Sequence, residues 1–213
     1  MLANLVDKIA IYVSKWNRFF KYSLFIKIFS PDEQMNILDV GVEDAVHPWS
    51  NFLEENYPYP HKITALAIEE VRNFNQKYPL VTTVIYKGDI FPFKDQAFDI
   101  AWSNAVLEHV GDTAAQVLFL KEIKRCSKKA FITTPNLYFP VEVHTRIPFL
   151  HWLPKTTFDI FLKKIGKEWA TGNYMNLLSH SGLNSLLVQA GIRNYQVKKN
   201  RIGPFTMDFL VLF

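Results

Sequence analysis

Acids, amides and histidines fall at a few places in this chain where they could bind a ligand or move a proton. Ile37-Leu38-Asp39-Val40-Gly41 puts a carboxylate and a conformationally free residue at the end of an apolar run, and Val42-Glu43-Asp44-Ala45 follows. Glu69 and Glu70 close a second apolar run, Asp89 and Ile90 follow a third, and Ser103-Asn104 end a fourth, with Glu108-His109 just beyond. Farther on, Glu142, His144, His151 and Trp152 stand on a stretch stiffened by Pro140, Pro148 and Pro154. A histidine titrating near neutrality is the natural base for a hydroxyl acceptor, so His109, His144 and His151 are the candidate proton-transfer residues. Glu142, His144 and His151 could also be weighed as metal ligands, but their spacing fits no familiar ligand pattern and no metal is expected.

The elements that must position these groups alternate. Ile37–Val40, Ile63–Ile68, Thr82–Tyr86, Phe98–Ser103 and Ala130–Thr134 read as strands. Between them, Ser50–Tyr57 reads as a helix capped by Ser50, Glu69–Tyr78 as a helix with Val71, Phe74 and Tyr78 on one side, and Asp112 caps a helix to about Ser127. Strand and helix in this order imply a parallel sheet, because parallel neighbours need crossovers, and ligands of such sheets sit beyond the carboxyl ends of the strands. The candidate residues lie at those ends. The apolar, proline-punctuated stretch from about 135 to 178 is expected to fold as a cover facing the substrate. A helix over Gly182–Ala190, with Ser179 or Ser181 at its cap, and strands at Asn194–Lys199 and Met207–Leu212 complete the chain as an edge hairpin.

Taken together, "ILDVG" at Ile37–Gly41, "GDIFPFKDQAFDIAWSNAVLEHVGD" at Gly88–Asp112 and "FITTPN" at Phe131–Asn136 resemble the class I S-adenosylmethionine-dependent methyltransferases of the type-11 group. The resemblance implies a Rossmann-like α/β fold: a central, mostly parallel seven-stranded sheet with helices on both faces and a C-terminal antiparallel hairpin. It also implies S-adenosylmethionine as cofactor. That ligand carries a sulfonium, an adenine, ribose hydroxyls and an amino-acid end, which ask for carboxylates and an apolar wall. By position, Asp39 and Gly41 match the first cofactor motif, Asp89 and Ile90 the adenine-contacting pair, and Ser103 and Asn104 the residues beside the methionine part, with Glu108 next to them. Methyl transfer is an in-line displacement governed by positioning, and a base is needed only where the acceptor loses a proton.

Two departures fall on diagnostic positions. Where the family reads G-x-G-x-G, the slots after Gly41 hold Glu43 and Ala45, which removes glycine's freedom to adopt positive φ. Glu43 there could repel a ligand carboxylate or meet the amine or sulfonium. Ala67 stands where the ribose-binding acid is usual, and Glu69, read as the helix start, could reach back to replace it. The stretches "DVGVED", "SNFLEENYPYPHKITALAIEE" and "TPNLYFPVEVHTRIPFLHWLP" resemble a variant subgroup with a D-V-G-V loop, so the changes read as a lineage trait. The expected function is methyl transfer to an unidentified small-molecule, saccharide or lipid-linked acceptor; the alternative is a methyltransferase-like module that binds or scaffolds without catalysis. A nicotinamide-dependent oxidoreductase is disfavoured because G-x-G-x-x-G is absent.

The whole chain sets bounds on these readings. At 213 residues, with 49% hydrophobic and 15% aromatic residues, it suits one α/β domain, taken as residues 31–213, preceded by an amphipathic helical segment at 1–30. A formal charge of +4 from scattered basic residues permits but does not demand anionic partners, and no specific nucleic-acid contact is expected. Cys126, the single cysteine, rules out an internal disulfide and fits the cytoplasm. In the first thirty residues Leu2, Leu5, Ile9, Val13, Trp16 and Phe20 recur at helical spacing, interrupted by Lys8, Lys15, Arg18, Lys21 and Lys27. No run there has the length of a membrane span, and the pattern fits a signal peptide poorly. Two readings stay open: a helix packed on the domain, or a basic amphipathic helix lying on the inner face of a membrane.

Overall fold

A computed structural model of the chain describes residues 2–45, 50–142 and 145–213, with the side chains of residues 2–10 and of Asn173 left undescribed. His144 and the side chains of Leu2, Leu5, Lys8 and Ile9 therefore lie outside the described residues. Seven strands form one sheet in the order β3-β2-β1-β4-β5-β7-β6. They are β1 (Ile37–Val40), β2 (Ile63–Ala67), β3 (Thr82–Ile85), β4 (Phe98–Asn104), β5 (Ser127–Pro135), β6 (Gln196–Ile202) and β7 (Phe205–Leu212). The helices are α1 (Leu2–Phe29), α2 (Phe52–Asn56), α3 (Arg72–Lys77), α4 (Thr113–Cys126), α5 (Lys155–Lys164) and α6 (His180–Gln189). The chain divides into two compact units, Met1–Ile85 and Tyr86–Phe213.

In the first unit β1, β2 and β3 run parallel, with Asp39 opposite Ala65 and Val40 opposite Leu66. All four β1 residues are buried, the continuous burial of an inner parallel strand covered on both faces. Ile37, Leu38, Leu53, Leu66 and Phe74 build its core. One side of α1 packs here: Phe25 is fully buried, the Arg18 guanidinium donates to the Ser50 carbonyl at 2.8 Å, and the Tyr22 hydroxyl to that of Asn56 at 2.9 Å.

In the second unit β4 and β5 are parallel, and β7 returns antiparallel to both β5 and β6, forming the edge hairpin. Trp102 and Phe131 are register partners and stack, their rings 5.1 Å apart. Asp112 starts α4 as expected, its carboxylate accepting from Ala115 N–H, and Ser179 caps α6 by accepting from Gly182 N–H. The cover has a core of its own, Leu150, Phe158, Leu162, Ala170 and Met175, around α5.

Two helix starts and one helix face are among the differences from the sequence reading. The helix expected from Glu69 begins at Arg72, leaving Glu69 on a bend where no helix dipole favours it. The helix expected from Ser50 begins at Phe52, with Asn51 at its cap position. On α1, Trp16 and Phe20, read as part of the apolar stripe, are 42% and 37% exposed, whereas Lys21 is buried.

Candidate active site

In the first unit the candidates lie on the loop beyond β1. Gly41 adopts φ +96° and donates its N–H to the Leu66 carbonyl at 3.0 Å, a conformation in which glycine has no side-chain penalty. Neither Glu43 nor Ala45 has positive φ, so the path taken by this loop does not require glycine at those slots. It is held instead by side chains. Asn51 accepts from Glu43 N–H at 3.2 Å and donates to the carbonyls of Glu43 at 2.9 Å and Ala45 at 3.2 Å. Asp44 accepts from the N–H groups of Asn73 and Phe74 at 2.7 and 3.1 Å, satisfying two of the open donors in the first turn of α3. The Glu43 carboxylate stays exposed.

Asp39 is not exposed in the same way. It is 6% accessible and faces Glu54 of α2, itself 5% accessible. Burial pushes Asp39 well above the usual carboxylate range, reinforced by the charge of Glu54 and a hydrogen bond with it. Glu54 is raised by burial as well, with the bond to Asp39 opposing. Among the described residues no donor lies within hydrogen-bonding distance of the Glu54 oxygens, so burial favours a protonated carboxyl in the pair over two charges. Glu69 is exposed on its bend. Glu54, Asn51 and Asp44 were not among the sequence candidates; only the acid pair in "FLEEN" hinted at the first.

In the second unit Asp89 and Ile90 stand on an anchored turn. Phe91 is 1% exposed, its N–H donates to Glu122 at 2.9 Å, and the Arg125 guanidinium donates to the carbonyls of Phe91 and Phe93 at 3.0 and 2.7 Å. With its base fixed to α4, the turn presents Ile90 at 56% exposure and an exposed Asp89 carboxylate. Beside it, burial and the charge of Asp89 push the Tyr86 hydroxyl up to about 12.

The ends of β4 and β5 collect the polar candidates of this unit. Ser103 is fully buried, and Thr133 donates its hydroxyl to the Asn104 side-chain oxygen at 2.8 Å, fixing the amide's orientation. Ala105 is held at φ +59°, a left-handed conformation costly for a residue with a Cβ, while its N–H bonds to Thr133 O at 3.0 Å. Glu108 is completely buried and accepts the Thr134 hydroxyl at 3.0 Å; His109 Nε2 lies 3.9 Å from its other oxygen. The cover closes on this corner: His109 Nδ1 is 2.8 Å from the Tyr174 carbonyl, their rings meet edge to face at 5.1 Å, and Asn176 N–H donates to Glu108 O at 2.7 Å. A carbonyl can only accept, so Nδ1 carries the proton and, in the neutral ring, Nε2 carries the lone pair. Tyr174 and Asn176 had no signal in the sequence that tied them to His109.

His151 is 8% exposed in the cover. Burial lowers its pKa, the charge of Glu142 partly opposing, and Glu142 itself accepts Thr145 N–H at 2.6 Å. Trp152 donates its indole N–H to the Leu137 carbonyl at 3.0 Å.

Comparison with known proteins bears on the domain type and the fold. The methyltransferase-domain family model matches residues 51–130, which contain the Asp89–Ile90 turn and the Ser103–His109 corner. Among solved structures, a SAM-dependent methyltransferase from Aquifex aeolicus matches with a TM-score of 0.58 at 14% identity, covering 90% of this chain and 88% of that one. One from Thermotoga maritima matches at 0.59 and 14%, covering 96% and 92%, and one from Methanosarcina mazei at 0.54 and 16%, covering 85% and 92%. A search of curated protein sequences gave no match. The chain thus carries a match to the methyltransferase-domain model over its central motifs and shares the fold of these SAM-dependent methyltransferases over most of its length.

Proposed function

We propose that the protein transfers the methyl group of S-adenosylmethionine to a hydroxyl of a saccharide or lipid-linked acceptor. The observation that carries the cofactor part is the Asp89–Ile90 turn: an exposed acid without a hydrogen bond or ion pair among the described residues, next to an exposed branched apolar side chain, on a rigid base. That pair suits ribose hydroxyls and an adenine face. In the first unit Glu43 and Glu69 are likewise exposed and without ion pairs among the described residues, and by charge they suit the cationic and hydroxylic parts of such a cofactor. Gly41, Ser103 and Asn104 are assigned to its backbone and methionine end, with Asp39 as a buried support for the loop. When bound, the cofactor supplies an electrophilic methyl group.

The acceptor's proton is assigned to His109. Its ring is fixed by the Tyr174 carbonyl, its Nε2 is the basic nitrogen, and Glu108 lies close enough to stabilise the imidazolium that proton uptake creates. His151, kept neutral by burial, and His144 are the further candidates on the cover. Support for a lipid-linked acceptor comes from the cover's surface, where Phe149, Trp152, Phe161 and Trp169 are 41% to 54% exposed among Lys155, Lys163 and Lys164. The D-V-G-V subgroup reading is supported by the loop geometry, in which Asn51 and Asp44 take over the structural role of the absent glycines.

Incubation with methyl-labelled S-adenosylmethionine and separated lipid and polysaccharide fractions tests this. Label should enter one fraction, and His109→Ala should reduce transfer by about 100-fold or more, the usual scale of a general base. A protein that binds the cofactor yet labels neither fraction contradicts the proposed acceptor. Full activity in His109→Ala contradicts the proposed base. The non-catalytic reading draws on the burial of Asp39 against Glu54, which withdraws one cofactor-motif carboxylate from solvent.

A further inference from the structure

α1 is a two-faced helix whose apolar side chains are distributed the wrong way round for a helix that only packs on its own domain. The face turned to the first unit is semi-polar: Arg18, Lys21 and Tyr22 lie along it with Phe25. Tyr12, Trp16, Phe19 and Phe20 are 72%, 42%, 60% and 37% exposed. At about 100° per residue, these four fall together with Ser23 and Lys27 in one stripe opposite the packed face, and Lys15 lies at the edge of that stripe beside Tyr22. Trp16 and Phe20 stack at 5.8 Å within it. Leaving such a surface in water forfeits the burial its area would otherwise gain, and an exposed apolar stripe of this kind marks an interaction site.

The charge on the helix selects the occupant. Leu2–Phe29 contains Lys8, Lys15, Arg18, Lys21 and Lys27 against the single acid Asp7, and residues 11–29 contain no acid at all. A second copy would bring lysine to lysine with no carboxylate in the stripe to meet it. An anionic lipid surface answers both features: headgroup phosphates meet Lys15 and Lys27, and tryptophan and tyrosine rings lodge at the boundary between headgroup and acyl chain. Among the described residues no helix is long and apolar enough to cross a membrane, so the contact is one of lying on the surface. We propose that the Tyr12, Lys15, Trp16, Phe19, Phe20 and Lys27 face of α1 docks the protein onto an anionic membrane surface.

Co-sedimentation of the full chain with phosphatidylcholine vesicles, with and without phosphatidylglycerol, tests the proposal. The expected result is pelleting with the anionic vesicles, weakening as salt is raised. Lys15→Gln and Lys27→Gln should each lower partitioning about fivefold, the worth of one cation near such a surface. Trp16→Ser combined with Phe19→Ser should abolish binding while Phe19→Leu preserves it; circular dichroism confirms that α1 survives at these exposed positions. Failure of the wild type to pellet with either vesicle overturns the proposal, as does binding that none of these substitutions alters. A dimer in sedimentation equilibrium that the serine variants dissociate, with no vesicle binding, also overturns it and assigns the face to a second copy. Affinity for S-adenosylhomocysteine is measured in parallel, so a failure here is separate from a failure of the methyltransferase reading.

Discussion

Asn51 grips Glu43 by both of its backbone groups, accepting from the N–H at 3.2 Å and donating to the carbonyl at 2.9 Å. A side chain 6% exposed thus does the work of a backbone turn, and the loop beyond Gly41 keeps its course with a glutamate and an alanine in glycine slots. Asn51→Ala leaves those groups without their partner. It should destabilise the protein by about 1–3 kcal/mol in urea unfolding and weaken S-adenosylhomocysteine binding. Asn51→Asp keeps the acceptor and loses the donor, and should fall between. An alanine variant as stable as the wild type would show that the grip contributes nothing.

The Asp39–Glu54 pair makes stability depend on pH. Both carboxyls ionise near pH 4 in the unfolded chain, whereas in the folded chain burial raises both and a proton is retained by the pair. The folded state then binds more protons, so the stability from this pair is full below about pH 4 and is lost as pH rises through the raised values. Glu54→Gln supplies a permanent donor to Asp39 and should remove that decline. At pH 8 the variant should be more stable than the wild type by about 1–2 kcal/mol, since one unit of displacement is worth about 1.4 kcal/mol. Urea midpoints at pH 5 and pH 8 give the comparison; identical pH dependence in the two proteins would contradict the retained proton.

For His109 the tautomer is the testable quantity. Long-range proton–nitrogen NMR spectra should show Nδ1 protonated in the neutral ring, as the 2.8 Å contact to the Tyr174 carbonyl requires. Tyr174→Ala removes the ring edge but not the carbonyl, and should keep the same tautomer. Protonation at Nε2 in the wild type would remove the basis for its proposed role as base.

Local signals carried most of the fold. Asp112 and Ser179 announced their helices because a cap acts within three residues, and the buried β1 run was readable because an inner parallel strand has no polar face. Long-range choices were not legible. The start of α3 is set by Asp44, 29 residues before Asn73, so periodicity through Val71, Phe74 and Tyr78 pointed too early and placed Glu69 on a helix. The spacing of Trp16 and Phe20 revealed a helix but could not say which side met the protein. The strand-end acids could be proposed from motifs, whereas Glu54, Tyr174 and Asn176 reach their corners only through the tertiary fold.

Calorimetric titration with S-adenosylhomocysteine tests the central claim most directly. The wild type should bind one equivalent with a Kd in the micromolar range, about −8 kcal/mol. Asp89→Ala and Glu69→Ala should each weaken binding about tenfold or more without a change in thermal stability, since both side chains are exposed and outside the core. Absence of binding at about 1 mM ligand, or affinity unchanged in both variants, would contradict the account.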